Sequence, residues 1–192
     1  MKRLLIASTV GTIILYVWLA LAHTVLMFHY SDFKYTPAQD SILTAVSSSL
    51  HEDGFYMTPY YNEGTSMKEM EDEMKARIGK PWALINYHSE MEDESAMTFI
   101  MSLIYNFISV LIICIALATA SSKLASFGQH LWFVMLFAFF PIFSSLLLMY
   151  NWEGFPMQFL RGEIIDLIVG YFLTGLWLAW YYRRIESNPS AS

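Results

Sequence analysis

The sequence predicts an α-helical membrane protein: a four-transmembrane-helix bundle with a small α/β periplasmic insertion, of helix-strand-helix-strand order, between helices 1 and 2. Three observations predict it. Four apolar runs, Leu4 to Phe28, Thr98 to Ala120, Leu131 to Tyr150 and Gly162 to Tyr182, each reach the length a membrane helix needs, about 20 residues. The composition, 56% hydrophobic and 17% aromatic with a mean hydropathy of +0.41, is too apolar for an ordinary soluble domain. Residues 29–97, by contrast, hold thirteen Asp and Glu against five Lys and Arg in a chain of net charge −6. That segment belongs in water.

Helix 1 is expected within residues 1–28. Lys2 and Arg3 precede its apolar stretch, and Ala20, Leu21 and Ala22 form an A-x-A cleavage pattern, so a secretory signal is one reading. The stretch runs unbroken from Leu4 through Ala22, longer than a signal core, and the expectation is a retained anchor. Orientation follows from Lys and Arg beside the helix ends. Lys2, Arg3, Lys123, Arg183 and Arg184 fall on one side and Arg161 on the other. Both termini are expected in the cytoplasm of a bacterium, the 29–97 segment in the periplasm, and residues 183–192 as a cytoplasmic tail. An anionic inner leaflet would repel the acidic segment from the opposite placement.

Within the insertion, Thr36 and Pro37 signal a helix start, and Ile42, Leu43, Val46 and Leu50 recur at helical spacing until Gly54. Phe55, Tyr56 and Met57 form a short strand before Pro59. After a turn at Asn62, Glu63 and Gly64, Ser66 with Glu69 fits a capping box for a second helix to Ile78, stopped by Gly79. Trp82 to Tyr87 make the second strand, and the acidic run Glu90 to Glu94 leads back to the membrane. A unit below about 70 residues has a marginal core without a metal, disulfide or partner. The bundle's own outer ends, a second copy or another protein would supply the support.

Met67, Met70 and Met74 line one face of the second insertion helix, with Met57, Met91, His51 and His88 nearby. Thioethers and imidazoles suit copper, but methionine at this spacing is also the apolar stripe of an amphipathic helix packed on its strands. The packing reading is preferred and no metal or other cofactor is expected. The acidic surface has two readings as well, steering of a basic partner and plain solvation, of which solvation is the commoner.

Ionisable groups inside membrane helices are costly and need a reason. His23, near the outer end of helix 1, and Asp166, one turn into helix 4 from the same side, share a depth. Helix 2 (98–120) aligns Ser102, Asn106 and Ser109 with Ile113, Ala116 and Ala120 on one face. Helix 4 (162–182) offers Asp166, Gly170 and Thr174 at successive turns, and helix 1 offers the small residues Ala7 and Gly11 for close packing. A polar pocket of His23, Asn106, Glu163 and Asp166, able to bind a ligand or pass a proton, is the functional reading. The structural alternative is that His23 or Asn106 hydrogen-bonds Asp166 and fixes helix packing. In helix 3 (131–150), Pro141 predicts a kink, with Ser144 and Ser145 able to satisfy freed backbone groups.

Cys114, the lone cysteine, excludes an intrachain disulfide and with it the disulfide-generating four-helix enzymes and the claudin-like layout. No zinc-spaced histidine pair, phosphate loop or nucleophile motif stands out, and no catalytic residue is assigned. The stretch GEIIDLIVG around Asp166 superficially resembles the last motif of signal peptidase II. A second intramembrane aspartate at that depth is missing from the four runs, and Glu163, one turn away on the same helix, is the only substitute.

Over nearly its full length the chain resembles a group of uncharacterised bacterial four-transmembrane-helix proteins with a periplasmic domain between helices 1 and 2. The resemblance lies in LYVWLALAH at the end of helix 1, GFYMTP and KPWALINY in the insertion, and NWEGFP ahead of DLIVGYFLTGLWLAW. It implies a shared fold and location and carries no activity. Trp152 and Phe155 look like anchors at headgroup level. The expected partners are the lipid bilayer and another membrane or periplasmic protein, or a second copy, and no nucleic acid. The expected role is a non-enzymatic accessory or assembly subunit of an inner-membrane complex. A small ligand or metal carrier or sensor, and an intramembrane hydrolase, are the alternatives.

Overall fold

A computed structural model of the chain describes residues 1–91, 93 and 96–187. In chain order the elements are α1 (Lys2–Thr24), α2 (Gln39–Ser49), β1 (Gly54–Thr58), α3 (Met67–Arg77), β2 (Ala83–Tyr87), α4 (Ala96–Ala120), α5 (Phe127–Pro141), α6 (Leu147–Trp152) and α7 (Met157–Ser187). They form two compact units, one holding α1 and α4 to α7, the other holding α2 to β2.

The first unit contains four helices long and apolar enough to cross a membrane, with α5 and α6 continuous as one span over Phe127–Trp152. Helices α1 and α7 form its centre, with α4 packed along α1 and α5 along α7. Small residues make the central contact. A Cβ on Gly11 would lie 2.8 Å from Val110 and 3.3 Å from Thr174, and one on Gly170 would lie 2.7 Å from Leu15. Close approach through Gly11 and Gly170 is what their positions predict. Ala7, Leu15, Val110, Ile113, Cys114, Leu117, Val134 and Leu178 fill the core between them, and the Tyr182 hydroxyl donates to the carbonyl of Cys114 at 2.8 Å. On the outside Leu5, Ile13, Ile112, Phe140 and Phe143 remain exposed, an apolar surface of the kind lipid covers. Trp152, an expected anchor, is also fully on the outside, 81% exposed.

Boundaries differ from the apolar runs for identifiable reasons. Helix α1 stops at Thr24, four residues short of Phe28, where Met27 adopts a φ of 52° and turns the chain. Helix α7 begins at Met157, because Gly154 with φ 70° closes the preceding turn and Pro156 opens the next. Helix α5 starts at Phe127 rather than Leu131, since Ser126 and Gln129 form a capping box in the polar lead-in. At Pro141 the helix widens into a π-turn, Ile142–Leu146, as expected where proline removes a donor. Ser144 Oγ then donates to the carbonyl of Phe140 at 2.7 Å.

In the second unit the order helix, strand, helix, strand is as expected. β1 and β2 pair antiparallel, with Tyr56 opposite Ile85 and Phe55 opposite Asn86. The capping box at α3 forms, with the Glu69 amide donating to Ser66 Oγ and the Ser66 amide to Glu69 Oε2. Packing is thin. Neither α2 nor α3 buries a residue, and Tyr87 is the buried residue of the strands. Along the expected methionine stripe Met70 is half-buried, while Met67 is 82% exposed and Met74 is also exposed. Part of the acidic run (92, 94) and the tail beyond 187 lie outside the described residues.

Candidate functional site

The polar cluster assembles where α1 ends. His23 occupies the last turn of α1, and the chain then folds back through the turn at Met27 to present His29 against α7. Two side chains of α7 hold this returning segment: Gln158 Nε2 donates to the carbonyl of Ser31, and Arg161 Nη2 donates to Ser31 Oγ at 3.1 Å. Gly162 makes room for the imidazole, since a Cβ there would lie 2.6 Å from His29 Cε1 and Nδ1.

Asp166 is the centre of the cluster. Its Oδ2 lies 3.0 Å from His29 Nε2 and 3.3 Å from His23 Nε2, and its Oδ1 accepts from Trp18 Nε1 at 3.2 Å. His29 Nδ1 in turn lies 2.7 Å from Asp32 Oδ2. Both ring nitrogens of His29 lie within hydrogen-bond distance of a carboxylate oxygen, an arrangement that favours the charged imidazolium. Burial pulls the His29 pKa down, but the hydrogen bonds and charges of Asp166 and Asp32 outweigh it and hold the pKa above the ordinary histidine value. The two imidazoles stack, centroids 3.9 Å apart and planes within 4°. Exposure is graded: the side chains of Asp32 and Asp166 are 4% and 6% exposed, while that of His23 is 51% exposed. His23 is the open side of the site.

The predicted pairing of His23 with Asp166 is present. Asp166 bonds Trp18 and the two histidines, and Asn106 is not among its partners. Helix α4 packs along α1, and its hydrogen bond with α7, from Tyr182 to the carbonyl of Cys114, lies far along α7 from Asp166. Ser102 and Ser109 bond back to the carbonyls of Thr98 and Tyr105 on their own helix. Glu163 sits half-buried three residues before Asp166 and contributes no ligand atom to the cluster. Sequence reasoning missed His29, Asp32 and Trp18. The available signal was the His29-x-x-Asp32 spacing just past the end of an apolar run that already ended in a histidine.

The thioether and imidazole set of the insertion is divided. Met57 and Met74 line a cleft of about 360 Å³ with Tyr60, Arg77 and Trp82, and no histidine lines it. His88 and Met91 line a different cavity beside α2, and His88 lies 3.8 Å from Asp53. His51, Met67 and Met70 line neither.

By length and composition, four such helices with an inserted α/β unit place the chain in the class of multi-pass membrane proteins. Comparison with known protein families, with curated proteins and with solved structures finds no match to this chain.

Proposed function

We propose that the protein is a non-enzymatic, multi-pass subunit of the bacterial inner membrane, with both termini cytoplasmic, that serves a membrane complex as an accessory or assembly component. Its acidic periplasmic unit is the docking module. The observation that carries this reading is the thin packing of that unit: two helices bury nothing while Phe55, Ile78 and Trp82 stay exposed beside an excess of carboxylates. A partner that covers apolar side chains and offers basic groups at the rim suits such a surface. The test is native mass spectrometry of the full chain extracted in mild detergent. A protein partner at fixed stoichiometry is the expected result, and a lone chain would overturn the reading.

A second reading, a small carrier or sensor, is favoured by one specific observation: a carboxylate with its side chain 6% exposed meets a half-exposed imidazole in the last turn of α1. Such a pair is able to take up a cation or a small ligand from the outer side. An intramembrane hydrolase draws less support, because Asp32, the second carboxylate near Asp166, is separated from it by the His29 ring.

A further inference from the structure

We propose that His23, His29 and Asp166 form a binding site for a divalent transition-metal ion of the zinc and cobalt class, with Asp32 and Trp18 as positioning residues. The inference rests on the carrier or sensor reading of this cluster and names its ligand.

Four observations converge. The candidate ligand atoms, His23 Nε2, His29 Nε2 and Asp166 Oδ2, lie within 4.8 Å of one another. The two distances from Oδ2 are 3.0 and 3.3 Å, close to the separation of about 3.3 Å between ligands that sit about 2.0–2.1 Å from a tetrahedral ion.

The outer atoms of two of the ligands are already held. His29 Nδ1 pairs with Asp32 at 2.7 Å, which directs Nε2 inward, the carboxylate–histidine arrangement that orients metal-bound imidazoles. Trp18 engages Asp166 Oδ1 and leaves Oδ2 as the ligating oxygen.

The charges also match. Two neighbouring carboxylates, Asp166 and Asp32, carry the charge that balances one divalent ion. Asp32 Oδ1 is buried and, among the described residues, has no hydrogen-bond donor of its own.

Finally, two imidazoles with one carboxylate suit zinc, cobalt or nickel, whereas calcium and magnesium require oxygen-rich shells. Three protein ligands leave at least one coordination position open.

The stacked rings set the order of events. The two rings are stacked within 4° of parallel, their centroids 3.9 Å apart, whereas coordination requires the ion to lie near the plane of each ring. The half-exposed His23 therefore turns to meet the metal, while His29, 13% exposed and clamped by Asp32, stays in place.

The test uses the full chain, purified in detergent without chelator and titrated with Co²⁺ while its visible absorption is followed. One equivalent is expected to give the intense bands of a four- or five-coordinate ion, discharged by Zn²⁺. His23→Ala, at a half-exposed position, should keep the wild-type melting temperature and weaken Co²⁺ binding at least about tenfold. Asp32→Asn should weaken it by about 10–100-fold and shift the bands, a spectral change that a merely structural role would not cause. Absence of saturable Co²⁺ binding, or wild-type binding by His23→Ala, overturns the proposal. If metal fails but a small molecule or lipid copurifies and is lost on His23→Ala, the metal inference falls and the carrier or sensor reading stands. If nothing binds, both fall.

Discussion

A single hydrogen atom at position 162 gives His29 its place. Because a Cβ there would sit 2.6 Å from the ring, Gly162→Ala must displace the imidazole or separate α7 from the returning segment. Overpacking of this kind costs about 1–3 kcal/mol, and a lowered melting temperature in detergent is the expected result. Trp18→Phe keeps most of the apolar bulk and leaves Asp166 Oδ1 without its donor. Removing one partner of a buried acceptor costs about 1–3 kcal/mol, so this variant should melt lower as well. Asp53 provides a test in the other unit. It accepts from the Ser89 amide at 2.8 Å, and hydrogen bonding to the Ser89 side chain and then to its amide, aided by the nearby His88, holds its carboxyl below the usual carboxylate range. A folded pKa below the unfolded one adds stability above the unfolded value and loses it as pH falls through the folded value. Hydrogen-exchange protection of the Ser89 amide is therefore expected to be constant near neutrality and to fall in acid, with Asp53→Ala unprotected throughout.

Among the elements, α3 depends most on local chemistry. It buries no residue, so its capping box and the pairs Glu71 with Lys75 and Glu73 with Arg77 carry its stability. Exposed i, i+4 pairs contribute only a few tenths of a kcal/mol each, which leaves the cap as the larger local contribution. Ser66→Ala is expected to cost about 1 kcal/mol of local stability. The readout is faster exchange across residues 67–77 with unchanged exchange in α7. The cap was legible in the sequence because Ser66 and Glu69 stand at fixed spacing. The seating of α3 was not legible, since a methionine stripe signals an apolar face without saying what covers it. A disturbance of the helix at Pro141 was likewise legible, as the backbone consequence of one residue type, while its form as a π-turn was not.

At the scale of the molecule, the charge asymmetry beside the helix ends makes orientation testable. In a Cys114→Ala background, Ser47→Cys in α2 should react with a membrane-impermeant thiol reagent in cells whose outer membrane has been permeabilised. Ser122→Cys, between α4 and α5, should react only after the inner membrane is opened. The reverse pattern would place the acidic unit in the cytoplasm and exclude a periplasmic docking module. Both positions are exposed, so protection would report the bilayer rather than burial in the protein.

The sequence by itself determined what depends on composition and short-range spacing: four helices of spanning length, the order of elements in the insertion, the capping box and the weakening at Pro141. It also placed His23 and Asp166 at one level, because helical rise converts position in the chain into depth. Tertiary structure decided which side chains meet at that level. Asp166 bonds Trp18, His23 and His29 and not Asn106, and the turn at Met27 brings His29 back against Gly162. Helix neighbours leave no local signature, and of the turn, which depends on one left-handed backbone position after the last turn of α1, the His29-x-x-Asp32 spacing is the trace in the sequence.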